Sequence, residues 1–277
     1  MPLKIPTNYY IHITAHCNYS CIYCYNRYNR INQMFLKELT TREYFNFFLD
    51  LMPYSPLKIT ITGGEPMLRK DLKMIVGFLK RISSDSLHIS LNTNGSKVDS
   101  NNVNWLIDSF NEISISLDGF KSINDKIRGR GSFDRTLKAV ALIVGYGGSP
   151  SISITRTSLN NTNIEGFIEY MQNEWGIHSF RINDVKIIGK ATSLPWLNPD
   201  SYSNSPVEER QPFLNPPCFD GAKCLEQTMN ILPDGDCYPC HCLQESSFFL
   251  GNIKKNPLND IFKNLDDIKK MYQNYYE

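Results

Sequence analysis

Three cysteines near the start of the chain have a spacing that could hold a reactive metal centre. Cys17, Cys21 and Cys24 follow an apolar run that ends at Thr14. A structural zinc site or an electron-transfer cluster takes four protein ligands. Three thiolates on a four-iron cluster would leave one iron able to bind a reacting molecule. The spacing therefore favours a reactive iron–sulfur centre, and a zinc knuckle or three unrelated buried thiols are the alternatives.

The other cysteines lie near the end of the chain, in the pattern Cys-x5-Cys-x12-Cys-x2-Cys-x-Cys. They are Cys218, Cys224, Cys237, Cys240 and Cys242. The N-terminus lacks the apolar core of a signal peptide, and no apolar run approaches the roughly 20 residues of a membrane helix. We therefore expect a cytoplasmic protein with no membrane partner. Thiols stay reduced in the cytoplasm, so these cysteines are expected to bind metal rather than to form disulfides.

Length and charge narrow the class of protein only a little. The 277 residues allow one large domain, with or without a small appended one. Lysine and arginine number 29 against 28 acidic residues, which gives a net charge of +1. Because no long basic stripe accompanies this balance, no nucleic-acid partner is expected.

Short β-rich runs alternate with amphipathic helical stretches over the first two thirds of the chain. The predicted strands are Tyr9–Thr14, Lys58–Thr62, Leu87–Leu91, Ile113–Leu117, Ser151–Thr157 and Phe180–Ile188. Such alternation predicts an α/β domain with a parallel sheet, either doubly wound or a barrel. Glycine-rich and polar segments follow the strands, where both architectures bind ligands. No G-x-G-x-x-G follows the first strand, which disfavours a dinucleotide-binding domain.

The apolar periodicity also predicts which helix faces are buried. The predicted faces are Phe45/Phe48/Leu49/Met52, Leu72/Ile75/Val76/Leu79, Leu137/Val140/Ala141/Val144 and Ile164/Phe167/Ile168/Met171. Thr40 with Glu43, and Thr162 with Glu165, predict capping boxes at two of these helices. The segment around Arg128 to Gly131 reads as a charged loop after the fourth strand.

Composition divides the chain into three predicted segments. Residues 1–190 form the strand–helix domain, residues 191–217 a linker rich in Pro, Ser and Asn, and residues 218–277 a cysteine-rich module. Within that module, Pro233-Asp234-Gly235-Asp236 predicts a hairpin turn. A final amphipathic helix carries Leu258, Ile261, Phe262 and Leu265.

Four motifs in this order resemble those of the radical S-adenosylmethionine enzymes. They are the cysteine triplet with Tyr23 before Cys24, Gly63-Gly64-Glu65-Pro66, Thr93-Asn94-Gly95 and Ser116-Leu117-Asp118-Gly119. The resemblance covers nearly the whole chain. It implies a partial (β/α)6 barrel with a [4Fe-4S] cluster on Cys17, Cys21 and Cys24. It further implies that the reduced cluster cleaves S-adenosylmethionine to a 5′-deoxyadenosyl radical, with electrons from a flavodoxin- or ferredoxin-type protein.

The resemblance also assigns expected roles to individual residues. The turn Gly63, Gly64, Glu65 and Pro66 would bind the methionyl ammonium group, and Tyr23 would lie against the adenine. Further expected cofactor contacts are Asn92, Asn94, Ser116, Asp118 and Arg156. Arg156 is the expected partner of the cofactor carboxylate, because a guanidinium binds a planar acid through two parallel hydrogen bonds. Ordinary turn or surface roles are the alternatives for these last residues.

The C-terminal cysteines resemble the twitch and SPASM extensions, which bind auxiliary four-iron clusters. Five cysteines are fewer than a full SPASM extension needs, so one auxiliary cluster is expected here. Its expected ligands are Cys218, Cys224, Cys240 and Cys242. Cys237 is then left over, either as an inert thiol or as a catalytic hydrogen-atom donor in a peptide epimerase. A structural zinc site is the alternative.

Extensions of this kind are common in enzymes that modify ribosomally made peptides, and we expect that substrate class. A twitch-type small-molecule dehydrogenase of natural-product biosynthesis is the second hypothesis. A non-catalytic iron–sulfur or zinc scaffold is the third, but a scaffold has no need of the Gly63–Pro66 turn.

Overall fold

In a computed structural model, the protein is described for residues 5–25, 36–186, 188–198, 227–240, 243–244 and 246–276, with side chains up to residue 270. These residues divide into two compact units. The first contains residues 5–16, 36–89 and those from 227 onward, and the second contains residues 17–25 and 90–198. Within the described residues, no helix is long and apolar enough to cross a membrane. Most of the predicted linker, with Cys218, Cys224 and Cys242, lies outside the described residues.

The first unit joins the N-terminal strands to the C-terminal segment. Its elements are β1 (Asn8–Thr14), α1 (Thr41–Leu51), β2 (Lys58–Gly63), α2 (Leu72–Ile82), β7 (Thr228–Ile231), β8 (Asp236–Tyr238), β9 (Gly251–Asn252) and α7 (Leu258–Tyr276). The strand order is β2-β1-β7-β8-β9. β1 pairs in parallel with both β2 and β7, whereas β8 pairs antiparallel with β7 on one side and with β9 on the other. The predicted hairpin is therefore present, and its first strand extends the sheet at β1.

The second unit contains the remaining strand–helix repeats. Its elements are the end of β3 (His88–Thr93), α3 (Val103–Ser109), β4 (Glu112–Ser116), α4 (Lys121–Arg128), α5 (Ser132–Gly145), β5 (Ser151–Arg156), α6 (Ile164–Trp175) and β6 (Phe180–Asp184). The strand order is β6-β5-β4-β3, and all these pairs are parallel. The predicted α/β class is thereby confirmed, although β6 ends four residues earlier than predicted.

The strands of the second unit have one apolar and one polar face. β4 reads Glu-Ile-Ser-Ile-Ser, and its Ile113 and Ile115 are buried. Ser114 of β4, also buried, pairs in register with Ser151 of β5. Parallel sheets that are covered by helices on both faces have nearly continuous apolar strands. The alternation here instead gives a sheet face lined by hydroxyl groups.

Of the five predicted helix faces, two are correct and two are partly wrong, and that of α6 is buried apart from Ile168, which is half-buried. The stripes of α2 and α7 are buried as predicted. In α1 the capping box of Thr40 and Glu43 forms, but Leu49 is 53% exposed, and the buried residues are Tyr44, Phe47, Phe48 and Leu51. In α5 the buried face is Phe133, Thr136, Ala139, Val140 and Ile143. An apolar count missed that face because Thr136 is part of it, and its hydroxyl donates to the Asn94 carbonyl at 2.9 Å.

Two further local predictions are wrong. The second capping box does not form, because Asn163 is the N-cap of α6 and makes no side-chain cap bond. Of the predicted charged loop, Gly129 to Gly131 do lie between two helices, but Arg128 is the last residue of the helix α4. Its buried face consists of Asn124, Ile127 and Arg128, two of which are polar. Apolar periodicity cannot detect a helix whose buried face is polar.

Candidate functional site

The Gly63–Pro66 turn binds the backbone at the end of β1. The Gly64 amide donates to the Thr14 carbonyl, and the Glu65 amide donates to the His16 carbonyl, both at 2.7 Å. A Cβ atom on Gly64 would lie 2.2 Å from the His16 oxygen, so only glycine fits there. Gly63 has a φ of 134°, which also favours glycine. The turn therefore fixes the peptide that leads directly into Cys17.

The side chain that follows the two glycines is a buried carboxylate. Glu65 is 0% exposed and caps the 3-10 turn Pro66–Leu68, where its carboxylate accepts from the Met67 amide at 3.1 Å. Pro66 occupies the first position of that turn, where no amide hydrogen is required. A buried carboxylate of this kind suits a cationic ligand group such as an ammonium.

Sequence reasoning missed two charged residues that support the same part of β1. Glu38 accepts from the Thr14 hydroxyl at 2.8 Å and from the Ala15 amide at 2.7 Å. Arg69 donates to the Ile13 carbonyl at 2.6 Å. Two of these three partners are backbone groups, the Ala15 amide and the Ile13 carbonyl, which no side-chain pattern in the sequence reveals.

In the second unit, the spacer residues between the cysteines anchor the cysteine loop, residues 17–25. The three thiols themselves are half-buried. Asn18 accepts from the Asn94 amide at 3.0 Å and donates to Ser96 at 2.8 Å. The same Asn94 nitrogen lies 4.0 Å from the Cys17 sulfur. Asn94 thus touches both the first cysteine and its neighbour.

Two more spacer residues bind basic side chains. The Arg135 guanidinium donates to the Tyr19 hydroxyl at 3.2 Å and lies 5.3 Å from the centre of the Tyr19 ring. The Lys190 ammonium donates to the Ser20 hydroxyl at 2.7 Å, and the Lys190 amide donates to the Cys24 carbonyl at 3.0 Å. The loop is therefore held from several different elements.

Tyr23 belongs to a buried network with Asp118 and Arg128. Its hydroxyl donates to Asp118 Oδ2 at 2.6 Å and also accepts from Arg128 Nη2. Arg128 Nε donates to Asp118 Oδ2 at 2.6 Å, and Nη2 donates to Oδ1 at 3.0 Å. The Thr155 amide donates to Oδ1 at 2.8 Å. Asp118 is 0% exposed and Arg128 is 7% exposed.

The network sets the charge states around the loop. Burial raises the pKa of Tyr23 well above its usual range, so its hydroxyl stays protonated. Burial lowers the pKa of Arg128, but the Asp118 carboxylate outweighs it, and the net shift is upward. Burial raises the pKa of Cys21 to about 12, with the Arg128 charge opposing. The Arg128 guanidinium thus favours the thiolate form of Cys21, against the effect of burial.

Gly189 is another residue that sequence reasoning missed. It has a φ of 57°, and a Cβ atom there would lie 2.6 Å from the Cys24 carbonyl oxygen. The close approach explains why glycine precedes Lys190. A glycine shortly after the sixth strand, followed directly by a basic residue, is the sequence signal that could have indicated this contact.

The other predicted cofactor contacts lie at the ends of the strands in the second unit. Asn92 in β3 has a buried Oδ1 atom with no hydrogen-bond partner among the described residues. Ser116 ends β4 and is half-buried. Arg156 ends β5 and forms an exposed ion pair with Asp184 at 2.5 Å. Their contacts with a cofactor stay predictions.

Two of the C-terminal cysteines lie in the described residues. Cys237 is in β8, fully buried, and its thiol donates to the Gly235 carbonyl at 3.6 Å. Burial raises its pKa above the usual range. Cys240 is 2% exposed. The expected ligand set and the catalytic role of Cys237 stay predictions, because Cys218, Cys224 and Cys242 lie outside the described residues.

The donor set of the cysteine loop fits a four-iron cluster. Thiolates are the ligands that iron–sulfur clusters require, and each cysteine of such a cluster binds a different iron. Among the described residues, no three His, Cys, Asp or Glu side chains are close enough to hold a single metal ion. Cluster ligands do not have to converge on a single point. The Asn94 amide near Cys17 is a hydrogen-bond donor of the kind that stabilises cluster sulfurs.

Two family models match the chain. The model described as the Radical SAM superfamily matches residues 11–173, and the SPASM model, an iron–sulfur cluster-binding domain, matches residues 218–276. Radical SAM domains bind a [4Fe-4S] cluster and S-adenosylmethionine, and SPASM domains bind auxiliary iron–sulfur clusters. The predicted cofactors are thereby confirmed.

Curated relatives include enzymes named for different substrates. The chain is 28% identical over 164 residues to Fe-coproporphyrin III synthase of Methanosarcina barkeri, which covers 58% of this chain and 40% of the relative. It is 26% identical over 197 residues to the sporulation killing factor maturation protein SkfB of Bacillus subtilis, covering 68% and 45%. The matches thus span less than half the length of these two relatives.

A solved structure shows the same fold. The crystal structure of Streptococcus suis SuiB bound to precursor peptide SuiA aligns with a TM-score of 0.69 and 16% identity. The alignment covers 94% of this chain and 65% of SuiB. At this identity the likeness establishes the architecture alone.

Proposed function

The chain belongs to the radical SAM superfamily, and from that membership we propose that it is an enzyme that modifies a ribosomally synthesised peptide by hydrogen-atom abstraction. Cys17, Cys21 and Cys24 would hold the radical cluster. When bound, the cluster and S-adenosylmethionine supply a 5′-deoxyadenosyl radical. The protein's own residues bind and orient these groups.

The observation that carries an enzymatic role is the tight packing of the Gly63–Pro66 turn on the backbone before Cys17. The two hydrogen bonds that the Gly64 and Glu65 amides donate at 2.7 Å bring the backbones so close that no side chain fits on Gly64. They also fix the buried Glu65, whose carboxylate would bind the methionyl ammonium. A scaffold that only stores a cluster does not require a buried carboxylate at this turn.

The peptide substrate is supported by two proteins that this chain resembles. One relative is named as a maturation protein of the sporulation killing factor, and SuiB was crystallised with a precursor peptide. A leftover Cys237 thiol would allow epimerisation, and a crosslink is the other candidate product. Electrons would come from a flavodoxin- or ferredoxin-type protein.

A small-molecule substrate is the second candidate. The relative named Fe-coproporphyrin III synthase favours it, because its name refers to a porphyrin rather than a peptide. The hydroxyl-lined sheet face of the second unit would suit a polar small molecule equally well.

The first experiment tests the radical chemistry. Anaerobically reconstituted protein with a reductant should form 5′-deoxyadenosine. Cys17→Ala, Cys21→Ala and Cys24→Ala should each abolish that product, because a three-thiolate site cannot lose one ligand. Ser86→Ala, at an exposed turn, is the matched control and should keep the wild-type rate. Undiminished cofactor cleavage in any cysteine variant would refute the assignment.

Two further experiments test the auxiliary cluster and the substrate. The triple variant that lacks Cys17, Cys21 and Cys24 should keep about four irons per chain. Zinc without iron in that variant would show a structural module instead. Short peptides encoded beside the gene should then be incubated with the wild-type enzyme, and mass spectrometry should detect a mass or chirality change. A modified small molecule, with every such peptide unchanged, would favour the second candidate.

A further inference from the structure

We propose that Arg128 is a positioning residue of the cysteine loop, which it holds through Tyr23 before any cluster binds. The inference rests on the proposed function in one respect, namely that the loop is the one that receives the radical cluster. The contacts that support it all lie within the second unit.

The last turn of α4 binds two consecutive residues of the loop. The Ile22 amide donates to the Ile127 carbonyl at 3.0 Å. The next residue of the helix, Arg128, donates to the hydroxyl of the next residue of the loop, Tyr23. Ile22 and Tyr23 are the only residues between Cys21 and Cys24. The spacing of these two cysteines is therefore held by one end of one helix.

Asp118 fixes the orientation of both side chains. A carboxylate has about four lone-pair positions, and here four donors use them: Tyr23, two nitrogens of Arg128 and the Thr155 amide. With those positions filled by protein donors, Asp118 acts on the cofactor site through Tyr23 and Arg128. Its direct contact with the cofactor stays a prediction that this geometry does not favour.

The Asp118 backbone is held as well. Its amide donates to Asn124 Oδ1 at 2.9 Å, and its carbonyl accepts from Asn160 Nδ2 at 2.8 Å. Asn124 lies on α4, one turn before Arg128, and its Nδ2 donates to the Ser132 hydroxyl at 2.9 Å. Each group of the network is thus oriented by the protein itself, without a bound ligand.

The test compares two variants that weaken the contact between Arg128 and the loop in different ways. Tyr23→Phe keeps the ring and the Arg128–Asp118 pair, but it removes the hydroxyl. The double variant Arg128→Gln with Asp118→Asn removes both charges, so that no buried charge is left alone. Arg181→Gln is the control, because it breaks an ion pair with Glu112 at 2.9 Å in the same unit but away from the loop.

The first readout is amide hydrogen exchange in the metal-free protein, followed by mass spectrometry of the peptide that covers residues 17–25. Tyr23→Phe and the double variant should exchange about tenfold faster there, as expected for loss of a hydrogen bond to a charged partner. In Tyr23→Phe, exchange elsewhere in the second unit should stay at the wild-type rate, and so should exchange at residues 17–25 in Arg181→Gln. Unchanged exchange of this peptide in both variants would overturn the proposal.

The second readout is iron loss to a chelator after anaerobic reconstitution, together with the electron paramagnetic resonance signal of the reduced cluster. Tyr23→Phe should lose iron about tenfold faster than wild type and show an altered signal. Wild-type iron loss and signal in Tyr23→Phe would overturn the inference and leave the proposed function intact. A wild-type protein that assembles no cluster on Cys17, Cys21 and Cys24 would refute both.

Discussion

The Gly63–Pro66 turn and the cysteine loop are both held rigidly, but by opposite means. The turn is fixed by backbone hydrogen bonds and by the absence of a side chain on Gly64. The loop is fixed by side chains that come from residues 94 to 190 along the chain, among them Arg128, Arg135 and Lys190. The turn can be recognised from four consecutive letters, whereas the support of the loop is spread over the fold.

This difference has an energetic side. Backbone contacts of the turn involve neutral groups, so a substitution there acts through steric overlap. The loop depends on a buried ion pair, in which removal of one partner leaves a desolvated charge. Substitutions in the two regions should therefore destabilise the protein for different reasons, and the resulting losses in the free energy of unfolding can be compared.

The largest effect is expected for Arg128→Gln. Asp118 would be left as a fully buried carboxylate without its cation, which costs about 3–5 kcal/mol in the free energy of unfolding. Urea unfolding at neutral pH measures this cost. Arg181→Gln, which breaks a half-exposed ion pair, should lose less than about 1 kcal/mol. Similar losses for the two variants would show that burial does not distinguish these pairs.

Sequence alone predicted the turn but not the residues that hold the loop. Gly63 and Gly64 are evident because the close approach and the positive φ at this turn require glycine. The sequence predicts Arg128 to lie in a charged loop, because the buried face of α4 is polar and has no apolar periodicity. The partner of a buried charge is set by tertiary contacts that are distant in sequence.

The same limit explains the other differences between prediction and structure. The hairpin after Thr228 follows from its turn residues, but its parallel pairing with β1 joins segments more than 200 residues apart. The positions of the strands follow from the alternation of apolar and polar residues, and the α/β class follows from the alternation of strands with helices. Local patterns thus gave the elements, and long-range pairing had to come from the structure.

The next effect concerns the turn itself. Gly64→Ala should destabilise the protein by about 2–3 kcal/mol, because the new methyl group overlaps the His16 carbonyl oxygen. It should also reduce 5′-deoxyadenosine formation more than the loss of folded protein accounts for.

Gly77→Ala is the matched control within α2, where a Cβ atom meets nothing within 4 Å. That control should gain up to about 1 kcal/mol from helix propensity, so the two alanine variants should shift stability in opposite directions. A Gly64→Ala variant with the same free energy of unfolding as the wild type would contradict the steric account of the turn.

The smallest effect is expected for Arg156→Gln, and it separates exposed from buried charge pairs. Arg156 and Asp184 are each almost half-exposed, so the pair should contribute less than about 1 kcal/mol. The Arg156 guanidinium lowers the pKa of Asp184 below its ordinary value. A carboxylate whose folded-state pKa is lowered stabilises the protein at neutral pH, and this contribution is lost as the pH falls below about 4. Wild type and Arg156→Gln should therefore differ slightly in urea unfolding at pH 7 and converge in acid. Asp184→Asn is the control that removes the same pair from the other side.

If Arg156 also binds the cofactor carboxylate, Arg156→Gln should weaken S-adenosylmethionine binding about tenfold while Asp184→Asn leaves it unchanged. Equal binding by both variants would assign Arg156 to the surface pair alone.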